Sequence, residues 1–231
     1  MKFGVIVFPG SNCDDDMVYA LGEVLGQPTV KLWHKDTDLQ GCDVLIVPGG
    51  FSYGDYLRSG AIARFSPIMT AVATHAAHGG YVMGICNGFQ ILTEAGLLEG
   101  ALLKNNSQKY ICKNIYLRAQ NTSTALTAGL STEEVYKIPI AHGDGRFFAP
   151  ADTLAKLQDK DQVLFRYCDA QGQYTEEANP NGSLHNIAGI CNEGRNVFGM
   201  MPHPERAIHT HLGNTDGQAI LGSLIAYALQ V

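Results

Sequence analysis

The sequence predicts an α/β protein in which a central, mostly parallel sheet carries helices on both faces, with a smaller mixed or antiparallel region in the second half. Three observations lead to this prediction. Apolar, strand-like runs alternate with helix-like segments through the first half. Short polar turns separate the strand-like runs of the second half. Only 16% of the 231 residues are charged and 26 are glycine, which suits a buried sheet joined by Gly-rich turns.

The first half begins with Phe3 to Phe8, a continuous apolar run that is typical of a strand covered on both faces. The run ends at Pro9-Gly10, after which Ser11 or Asn12 can cap a helix. Three further strands are predicted, at Thr29 to Trp33, Val44 to Val47 and Tyr81 to Ile85. Helices are predicted from Ser59 to His78, where Pro67 must start, kink or divide the helix, and from about Gly88 to Leu97.

The second half contains shorter candidate elements. Strands are predicted at Tyr110 to Arg118, Val135 to Ile140, Val163 to Tyr167, Ile187 to Cys191 and Val197 to Met201. A closing helix is predicted from Gln218 to Leu229. No linker or repeat interrupts the sequence, so we expect one domain over residues 1–231 with a flavodoxin-like arrangement. The turns that follow the parallel strands, including Cys86, should meet at one crevice.

Composition excludes several classes of protein. The net charge of −6 argues against nucleic acid or an anionic membrane as a partner. No apolar run approaches the roughly 18 residues that a membrane span requires. The first apolar run resembles a signal peptide only superficially, because no small-residue cleavage site follows it, and we therefore expect a cytoplasmic protein. The six cysteines are scattered without a C-x-x-C pair, which favours free thiols.

Two short motifs carry the catalytic prediction, and the first is Gly84-Ile85-Cys86-Asn87-Gly88. A strand that turns sharply into a helix between two glycines is the pattern of a nucleophile elbow. Cys86 would stand at a helix N-terminus, where the helix dipole favours a thiolate. The N–H of Asn87 is positioned to donate to an oxyanion, and the turn Gly49-Gly50-Phe51 could supply a second donor. By itself the pattern is weak, because the glycines would also permit close packing around a small buried cysteine.

The second motif, Pro202-His203-Pro204-Glu205, strengthens the first. Pro204 disfavours helical backbone at His203, so we expect an extended segment. Residues two apart in an extended chain point to the same side, which would bring His203 and Glu205 together. Glu205 would fix the imidazole tautomer while the other ring nitrogen faces Cys86. A thiol, a base and an orienting carboxylate favour a hydrolytic or acyl-transfer enzyme.

These motifs closely resemble those of the class I, or triad, glutamine amidotransferases, and the resemblance runs nearly end to end. The matching segments beyond the two motifs are Gly10-Ser11-Asn12-Cys13-Asp14, Gly49-Gly50-Phe51-Ser52-Tyr53-Gly54-Asp55, His142-Gly143-Asp144-Gly145-Arg146-Phe147, Asn179-Pro180-Asn181-Gly182-Ser183 and Gly199-Met200-Met201. The resemblance implies that Cys86 is the nucleophile, His203 the base and Glu205 its orienting acid. It also implies a set of residues that bind glutamine or stabilise the oxyanion: Gly50, Phe51, Asn87, Gln90, His142 and Gly143.

The resemblance implies hydrolysis of glutamine to glutamate and ammonia through a γ-glutamyl thioester on Cys86, with no metal or cofactor in this subunit. The ammonia would pass to a synthetase subunit, which uses ATP and Mg²⁺ to convert formylglycinamide ribonucleotide to formylglycinamidine ribonucleotide in purine biosynthesis. The chain contains no P-loop, which agrees with ATP being bound elsewhere. Whether a small third subunit bridges the pair stays open.

Two other functions are compatible with the fold. One is a stand-alone thiol hydrolase or peptidase, and the other is a regulatory subunit that has lost its activity. The segment Phe51 to Asp55 and the His203-Pro204-Glu205 element favour the glutaminase over the hydrolase, and an intact triad opposes the regulatory subunit.

Three polar groups outside the triad could bind metal, but each has an ordinary explanation. They are His75 with His78, His209 with His211, and Asp14 to Asp16. A solvated helix face, a polar loop and the acidic first turn of a helix explain them equally well or better. Of the other cysteines, Cys13 follows a strand and could lie near the crevice.

Overall fold

The computed structural model describes residues 1–228, which form eleven strands and five α-helices. The strands are β1 (Phe3–Val7), β2 (Thr29–Trp33), β3 (Val44–Val47), β4 (Tyr81–Ile85), β5 (Ala101–Leu103), β6 (Ile111–Ala119), β7 (Tyr136–His142), β8 (Arg146–Phe148), β9 (Val163–Cys168), β10 (Ile187–Cys191) and β11 (Val197–Met200). The α-helices are α1 (Asp14–Val18), α2 (Pro67–Ala77), α3 (Asn87–Glu94), α4 (Ala151–Asp159) and α5 (Gly217–Ala228). A π-helical turn, Tyr19–Val24, continues α1.

Nine of the strands form one sheet with the order β2-β1-β3-β4-β11-β10-β9-β6-β7. The first five in this order pair in parallel, and the remaining strands pair antiparallel. Strands β5 and β8 form a separate antiparallel pair. The predicted α/β class is therefore confirmed, and the antiparallel strands of the second half extend the same sheet instead of packing against it.

The centre of the sheet is buried on both faces, as the apolar run at the start of the chain predicts. Strand β3 is fully buried, and only the last residue of β1 and the first of β4 are partly exposed. Helix α3 packs against β3, β4 and β11, while α1 packs against β1 and β2. Burial on both faces is typical of parallel strands that are covered by crossover helices.

The strand predictions for Thr29 to Trp33, Val44 to Val47, Tyr81 to Ile85 and Ile187 to Cys191 match the observed bounds, and the other predicted strands differ by one or two residues. Pro67 starts α2, and a separate 3₁₀ turn (Ala63–Phe65) precedes it. The sequence analysis missed the three-residue strands β5 and β8 and the nine-residue helix α4. The predicted end of the last helix, Leu229, lies outside the described residues.

The predicted helix cap at Ser11 or Asn12 is wrong. Helix α1 begins after Cys13, without a side-chain cap. The Ser11 hydroxyl donates instead to the carbonyl oxygen of Phe8 at 2.9 Å and accepts from the Phe8 N–H at 3.1 Å. A serine that bonds the end of the preceding strand cannot also cap the helix, so Ser11 stabilises the turn.

The loops that follow the parallel strands come together at one edge of the sheet, as predicted. The Phe51 N–H donates to the carbonyl oxygen of Gly10 at 3.0 Å, and the Cys13 N–H donates to that of Gly49 at 3.3 Å. The loops after β1 and β3 are thus bonded to each other beside Cys86, which follows β4. Within residues 1–228, none of the helices combines the length and the apolar character that crossing a membrane would require.

Candidate active site

Cys86 occupies the sharp turn between β4 and α3. Its torsion angles, φ 51° and ψ −107°, lie in a region that residues with side chains rarely adopt. The Cys86 N–H donates to the carbonyl oxygen of Met200 at 2.8 Å, which ties the turn to β11. The thiol lies 3.7 Å from the carbonyl oxygen of Ala141 and the residue is 5% exposed. The geometry is that of a nucleophile elbow with cysteine at its tip.

The two glycines of the elbow are required by close backbone approaches. A Cβ on Gly84 would lie 2.6 Å from Leu92 Cδ1 and 2.7 Å from the carbonyl group of Gly88. A Cβ on Gly88 would overlap the carbonyl oxygen of Val47 in β3. Any side chain at these positions would push α3 away from the sheet, and Cys86 with it.

His203 and Glu205 form a buried pair beside the elbow. The Nδ1 atom of His203 lies 2.6 Å from Glu205 Oε1, and both side chains are 1% exposed. Burial alone would lower the pKa of His203, but the charges of Glu205 and of a Cys86 thiolate outweigh it and hold the pKa well above its usual range. His203 therefore retains a proton that it can pass to a leaving group.

The backbone route to this pair differs from the predicted one. We expected an extended segment, but Pro204–Arg206 form a 3₁₀ turn, and His203 precedes it with φ −105° and ψ 88°. Proline is well suited to the first position of a helical turn, because its φ is fixed and its missing N–H needs no partner there. The turn folds Glu205 back onto the imidazole, and the His203 N–H bonds to the carbonyl oxygen of Pro139 at 2.9 Å.

The imidazole of His203 and the side chain of Cys86 both lie against Gly49. A Cβ on Gly49 would lie 2.8 Å from His203 Cε1 and 3.4 Å from Cys86 Cβ, so the two side chains enclose this glycine. Nδ1 of His203 is committed to Glu205, and Nε2 has no hydrogen-bond partner within residues 1–228. This leaves Nε2 as the nitrogen that can exchange a proton with the thiol and with substrate.

A second thiol, Cys13, also borders the imidazole, as its position after a strand suggested. Arg206 Nη2 donates to Cys13 Sγ at 3.1 Å, and Arg206 Nε pairs with Asp16 at 2.9 Å. Burial raises the pKa of the Cys13 thiol, which keeps the thiol protonated in spite of His203 and Arg206. Cys13 is therefore a neutral neighbour of the triad. All six cysteines are free thiols, as predicted.

One group in the described part of the chain could gather three metal ligands. The ligand atoms of Cys13, His203 and Glu205 lie within 4.8 Å of one another. The imidazole and the carboxylate of this group already bond to each other, so the triad is satisfied without an ion. The histidine pairs noted in the sequence do not form such a group within residues 1–228. In the acidic run, Asp14 and Asp15 pair with Lys31 at 2.8 and 2.6 Å.

The predicted oxyanion donors lie at the elbow, but Phe51 differs from the others. Its N–H is already bonded to the carbonyl oxygen of Gly10. The Asn87 N–H stands at the first position of α3, where helix geometry offers it no partner. Gly50 has φ 132°, and its N–H bonds to nothing in the described residues. The oxyanion role stays a prediction, and it falls to the N–H groups of Gly50 and Asn87.

Side chains of α3 connect the elbow to the loop after β7. Asn87 accepts from the Ser52 N–H at 3.0 Å and donates to Gln90 Oε1 at 2.9 Å. Gln90 in turn donates to the carbonyl oxygen of Asp144 at 2.6 Å. Gln90 thus lies in the wall of the cleft. This position is compatible with the glutamine-binding role that the resemblance implies for it.

His142 is fixed by a residue that the sequence analysis missed, Asn105. Asn105 Oδ1 accepts from the Gly145 N–H at 3.1 Å and lies 3.2 Å from His142 Nδ1, which therefore carries the ring proton. Burial, with a smaller contribution from His203, lowers the pKa of His142 to about 4. His142 is neutral at physiological pH. Nothing marked Asn105 beforehand, because its neighbours in the loop are polar as well.

The Asn179 to Ser183 segment, noted only for its resemblance, supports the same loop. Asn181 Nδ2 donates to the carbonyl oxygen of Gly145 at 2.8 Å, and the Phe147 N–H donates to Ser183 Oγ at 3.0 Å. Both side chains are buried. The segment acts as a brace behind the residues that line the cleft.

A cleft of about 200 Å³ opens above the thiol. It is lined by Gly50, Phe51, Asp55, Ser59, Cys86, Gln90, Tyr110, Ala141, His142, Gly143 and Asp144. Phe51 and Tyr110 stack at its mouth with ring centroids 6.3 Å apart. Larger hollows of about 580 and 400 Å³ lie along α2, and one of about 510 Å³ lies beside β6, all away from the triad. Because the smaller cleft contains the nucleophile, we assign substrate binding to it.

Comparison with known proteins agrees with this geometry. The model of the CobB/CobQ-like glutamine amidotransferase domain matches residues 1–219. A protein of Koribacter versatilis, named phosphoribosylformylglycinamidine synthase subunit PurQ, is 58% identical over 225 residues, 97% of each chain. A protein of Gloeobacter violaceus with the same name is 56% identical over 231 residues, 100% of each chain.

Solved structures show the same fold. A chain in the structure of PurLQS from Thermotoga maritima superposes with a TM-score of 0.87 at 43% identity, covering 98% of both chains. Another protein of Thermotoga maritima, described as a glutamine amidotransferase, superposes with a TM-score of 0.59 at 12% identity, covering 100% of this chain and 99% of that one. The second likeness is one of fold alone.

Proposed function

The chain belongs to the CobB/CobQ-like glutamine amidotransferase family, and from this membership we propose that it is the glutaminase subunit of phosphoribosylformylglycinamidine synthase. The observation that carries the proposal is Cys86 at the tip of an elbow beside a buried His203–Glu205 pair with a 2.6 Å hydrogen bond. The substrate class follows from relatives of 56–58% identity that cover nearly the whole chain.

In the first half of the reaction, the sulfur of Cys86 attacks the side-chain amide carbon of glutamine as a thiolate, beside the protonated imidazole of His203. The N–H groups of Gly50 and Asn87 stabilise the resulting oxyanion. His203 then donates its proton to the amide nitrogen, and the carbon–nitrogen bond breaks. Ammonia leaves, and a γ-glutamyl thioester remains on Cys86.

In the second half, the neutral imidazole of His203 removes a proton from water, which attacks the thioester carbon. The tetrahedral intermediate collapses, the carbon–sulfur bond breaks, and glutamate is released. The sulfur leaves as a thiolate and His203 keeps the proton taken from water, which restores the starting state of the pair. Glu205 holds the imidazole in one orientation throughout and stabilises its charged form through the bond to Nδ1.

Ammonia made in the cleft serves a synthetase of the PurL type, and a small PurS-like protein is a further component of the assembly. The Thermotoga maritima relative, whose structure is that of PurLQS, supports this proposal. ATP and Mg²⁺ belong to the synthetase and not to this chain, in line with the missing P-loop. We place the protein in the cytoplasm, since its six cysteines are free thiols, as is usual in a reducing compartment.

Substitution of the nucleophile tests the proposal. Cys86→Ala, assembled with its synthetase, should lose amidine synthesis from glutamine and keep synthesis from free ammonia, because only the thioester route needs the thiol. Loss of both activities would contradict a role limited to glutamine hydrolysis, provided that the variant still assembles.

Covalent labelling separates the glutaminase from the two alternatives. The glutamine analogue 6-diazo-5-oxo-norleucine should modify Cys86, and peptide mass spectrometry should locate the adduct there. A stand-alone hydrolase would release ammonia from glutamine poorly, and an inactive regulatory protein would not be labelled. Labelling at another cysteine, or none in the assembled complex, would refute the proposed function.

A further inference from the structure

The cleft above Cys86 contains two carboxylates and no basic side chain. Asp55 lies on the loop after β3, and Asp144 lies on the loop after β7. Apart from the Cys86 nucleophile, the other lining side chains are neutral. Two carboxylates from different loops, one on either side of Ser59, therefore line a space of about 200 Å³, which suits a molecule of amino-acid size.

Neutral groups hold both carboxylates in place. Asn87 Nδ2 donates to Asp55 Oδ1 at 3.3 Å, and Ser59 Oγ donates to Asp144 Oδ2 at 3.1 Å. Neither carboxylate forms an ion pair with any residue from 1 to 228. Burial raises the pKa of Asp55, and the charge of Asp144 adds to the effect. Both residues are partly buried, and a partly buried charge without an ionic partner is stabilised by a cation, so this arrangement favours a cationic ligand.

His142 adds a third acceptor to the same cleft. The residue is 3% exposed, and its Nδ1–H is committed to Asn105. Its Nε2, on the opposite edge of the ring, has no partner within the described chain. Since the imidazole is neutral, Nε2 is a free acceptor and not a second cation. The inner wall of the cleft thus offers acceptors to a ligand that carries N–H donors and positive charge.

We propose that Asp55 and Asp144 bind the α-ammonium group of glutamine and so determine specificity for an α-amino acid. This inference rests on the proposed function, because it takes glutamine as the molecule attacked by Cys86. Once the side-chain amide lies at the thiol, the α-ammonium is the only cation that the substrate can place against the carboxylates. The same charges repel the α-carboxylate, so they also fix the orientation of the amino-acid end.

The test compares glutamine with glutaramate, which has the same amide and carboxylate but lacks the α-ammonium group. Both compounds are assayed with the assembled synthetase complex containing wild-type chain, Asp55→Asn, Asp144→Asn or the double variant. The asparagine side chain retains an oxygen that can accept the hydrogen bond from Asn87 or Ser59, so the substitution removes the charge and keeps this acceptor. Asp159→Asn, at an exposed position at the end of α4, is the matched control.

Each single variant should lose roughly 10- to 100-fold in kcat/KM for glutamine, the range expected for one charge-assisted hydrogen bond. For glutaramate, kcat/KM should stay within about threefold of wild type, because this compound has no α-ammonium group that could interact with the removed carboxylate charge. The wild-type preference for glutamine should therefore collapse, and the Asp159→Asn control should retain it. A merely structural role for the carboxylates would lower both activities together.

A second measurement does not depend on turnover. Alkylation of Cys86 by iodoacetamide is followed by mass spectrometry, and the concentrations of glutamine and glutaramate that protect the thiol are compared. Glutamine should protect the wild type at lower concentration than glutaramate, and the double variant should lose this difference. Variants that keep the wild-type ratio in both measurements overturn this inference alone. A wild-type complex that neither hydrolyses glutamine nor is protected by it refutes the proposed function as well.

Discussion

At Cys86 the backbone adopts a conformation that costs on the order of 1–3 kcal/mol and persists because its surroundings hold it. The bond from its N–H to Met200 and the contact of Gly88 with β3 fix the turn on both sides. The strain presents the sulfur to the cleft while the residue stays largely buried. The packing of the sheet thus stabilises a strained turn that positions the sulfur of Cys86.

Glu205 should matter for the rate and much less for substrate binding. Glu205→Gln keeps the shape of the side chain but removes the charge that orients and stabilises the protonated His203, so kcat with glutamine should fall by roughly 10²- to 10⁴-fold. Steady-state glutaminase assays of the complex measure this loss. Glu23→Gln, at an exposed position on the π-helical turn, should leave kcat unchanged. Equal activity of both variants would show that the His203–Glu205 bond has no catalytic role.

His142 should make the protein less stable in mild acid. Its folded-state pKa of about 4 lies below the ordinary value of 6.5, so the unfolded chain takes up the proton first. The stability due to the neutral imidazole is therefore lost as the pH falls from about 6.5 towards 4. The loss at the lower limit should be roughly 3 kcal/mol.

Chemical denaturation of wild type and His142→Gln at neutral pH and near pH 4.5 measures this contribution. Other acid-sensitive groups affect both proteins, so the difference between the two isolates His142. The free energy of unfolding of the variant should decrease less over this interval. An identical decrease in both proteins would mean that folding does not lower the pKa of His142.

At the scale of elements, α3 depends on a close approach to β3. Gly88→Ala would place a methyl group on the carbonyl oxygen of Val47, and backbone atoms cannot move aside as a flexible side chain would. We expect the free energy of unfolding to fall by at least about 3 kcal/mol, with loss of labelling at Cys86.

Gly222→Ala, in α5, is the matched control, because a Cβ there meets no atom within 4 Å. Alanine favours helix over glycine, so this variant should gain roughly 0.5–1 kcal/mol. Thermal or urea unfolding of the two variants provides the comparison. A stable, active Gly88→Ala protein would contradict the role assigned to this contact.

The elements also show where sequence patterns succeed. Strands β2, β3, β4 and β10 were predicted with their observed bounds, because a buried apolar run between turn residues has few other solutions. The missed strands β5 and β8 have three residues each, too few to show a pattern. The segment after His203 was predicted as extended and is a 3₁₀ turn, because proline is compatible with both conformations.

At the scale of the whole molecule, the active site joins loops from both halves of the sheet. Cys86 and Gly50 follow parallel strands, whereas His142 ends β7 and Asp144 follows it, at the far antiparallel edge in strand order. Hydrogen bonds from Ser59 and Gln90 to Asp144 hold the second group against the first. Antiparallel strands that extend one sheet thus provide the second wall of the cleft.

The state of the thiols is a property of the whole chain that can be measured directly. All six cysteines are free, and Cys112 is the exposed one among them. A thiol reagent should titrate six groups in denaturant without prior reduction. In the native protein Cys112 should react first, and Cys112→Ser should remove this fast phase. Fewer than six groups in the unfolded protein would reveal a disulfide that the fold does not contain.

The sequence by itself determined the class of fold, the elbow at Cys86 and the pairing of His203 with Glu205, because each is written in a short run of neighbouring residues. Only the tertiary structure decided that Asn105 fixes the tautomer of His142, that Cys13 borders the imidazole, and that Asp55 and Asp144 face one cleft. These contacts join residues far apart in the chain, and the sheet order that brings them together is settled by packing. Local patterns specify reactive groups, whereas the space in which they meet a substrate is a product of the whole fold.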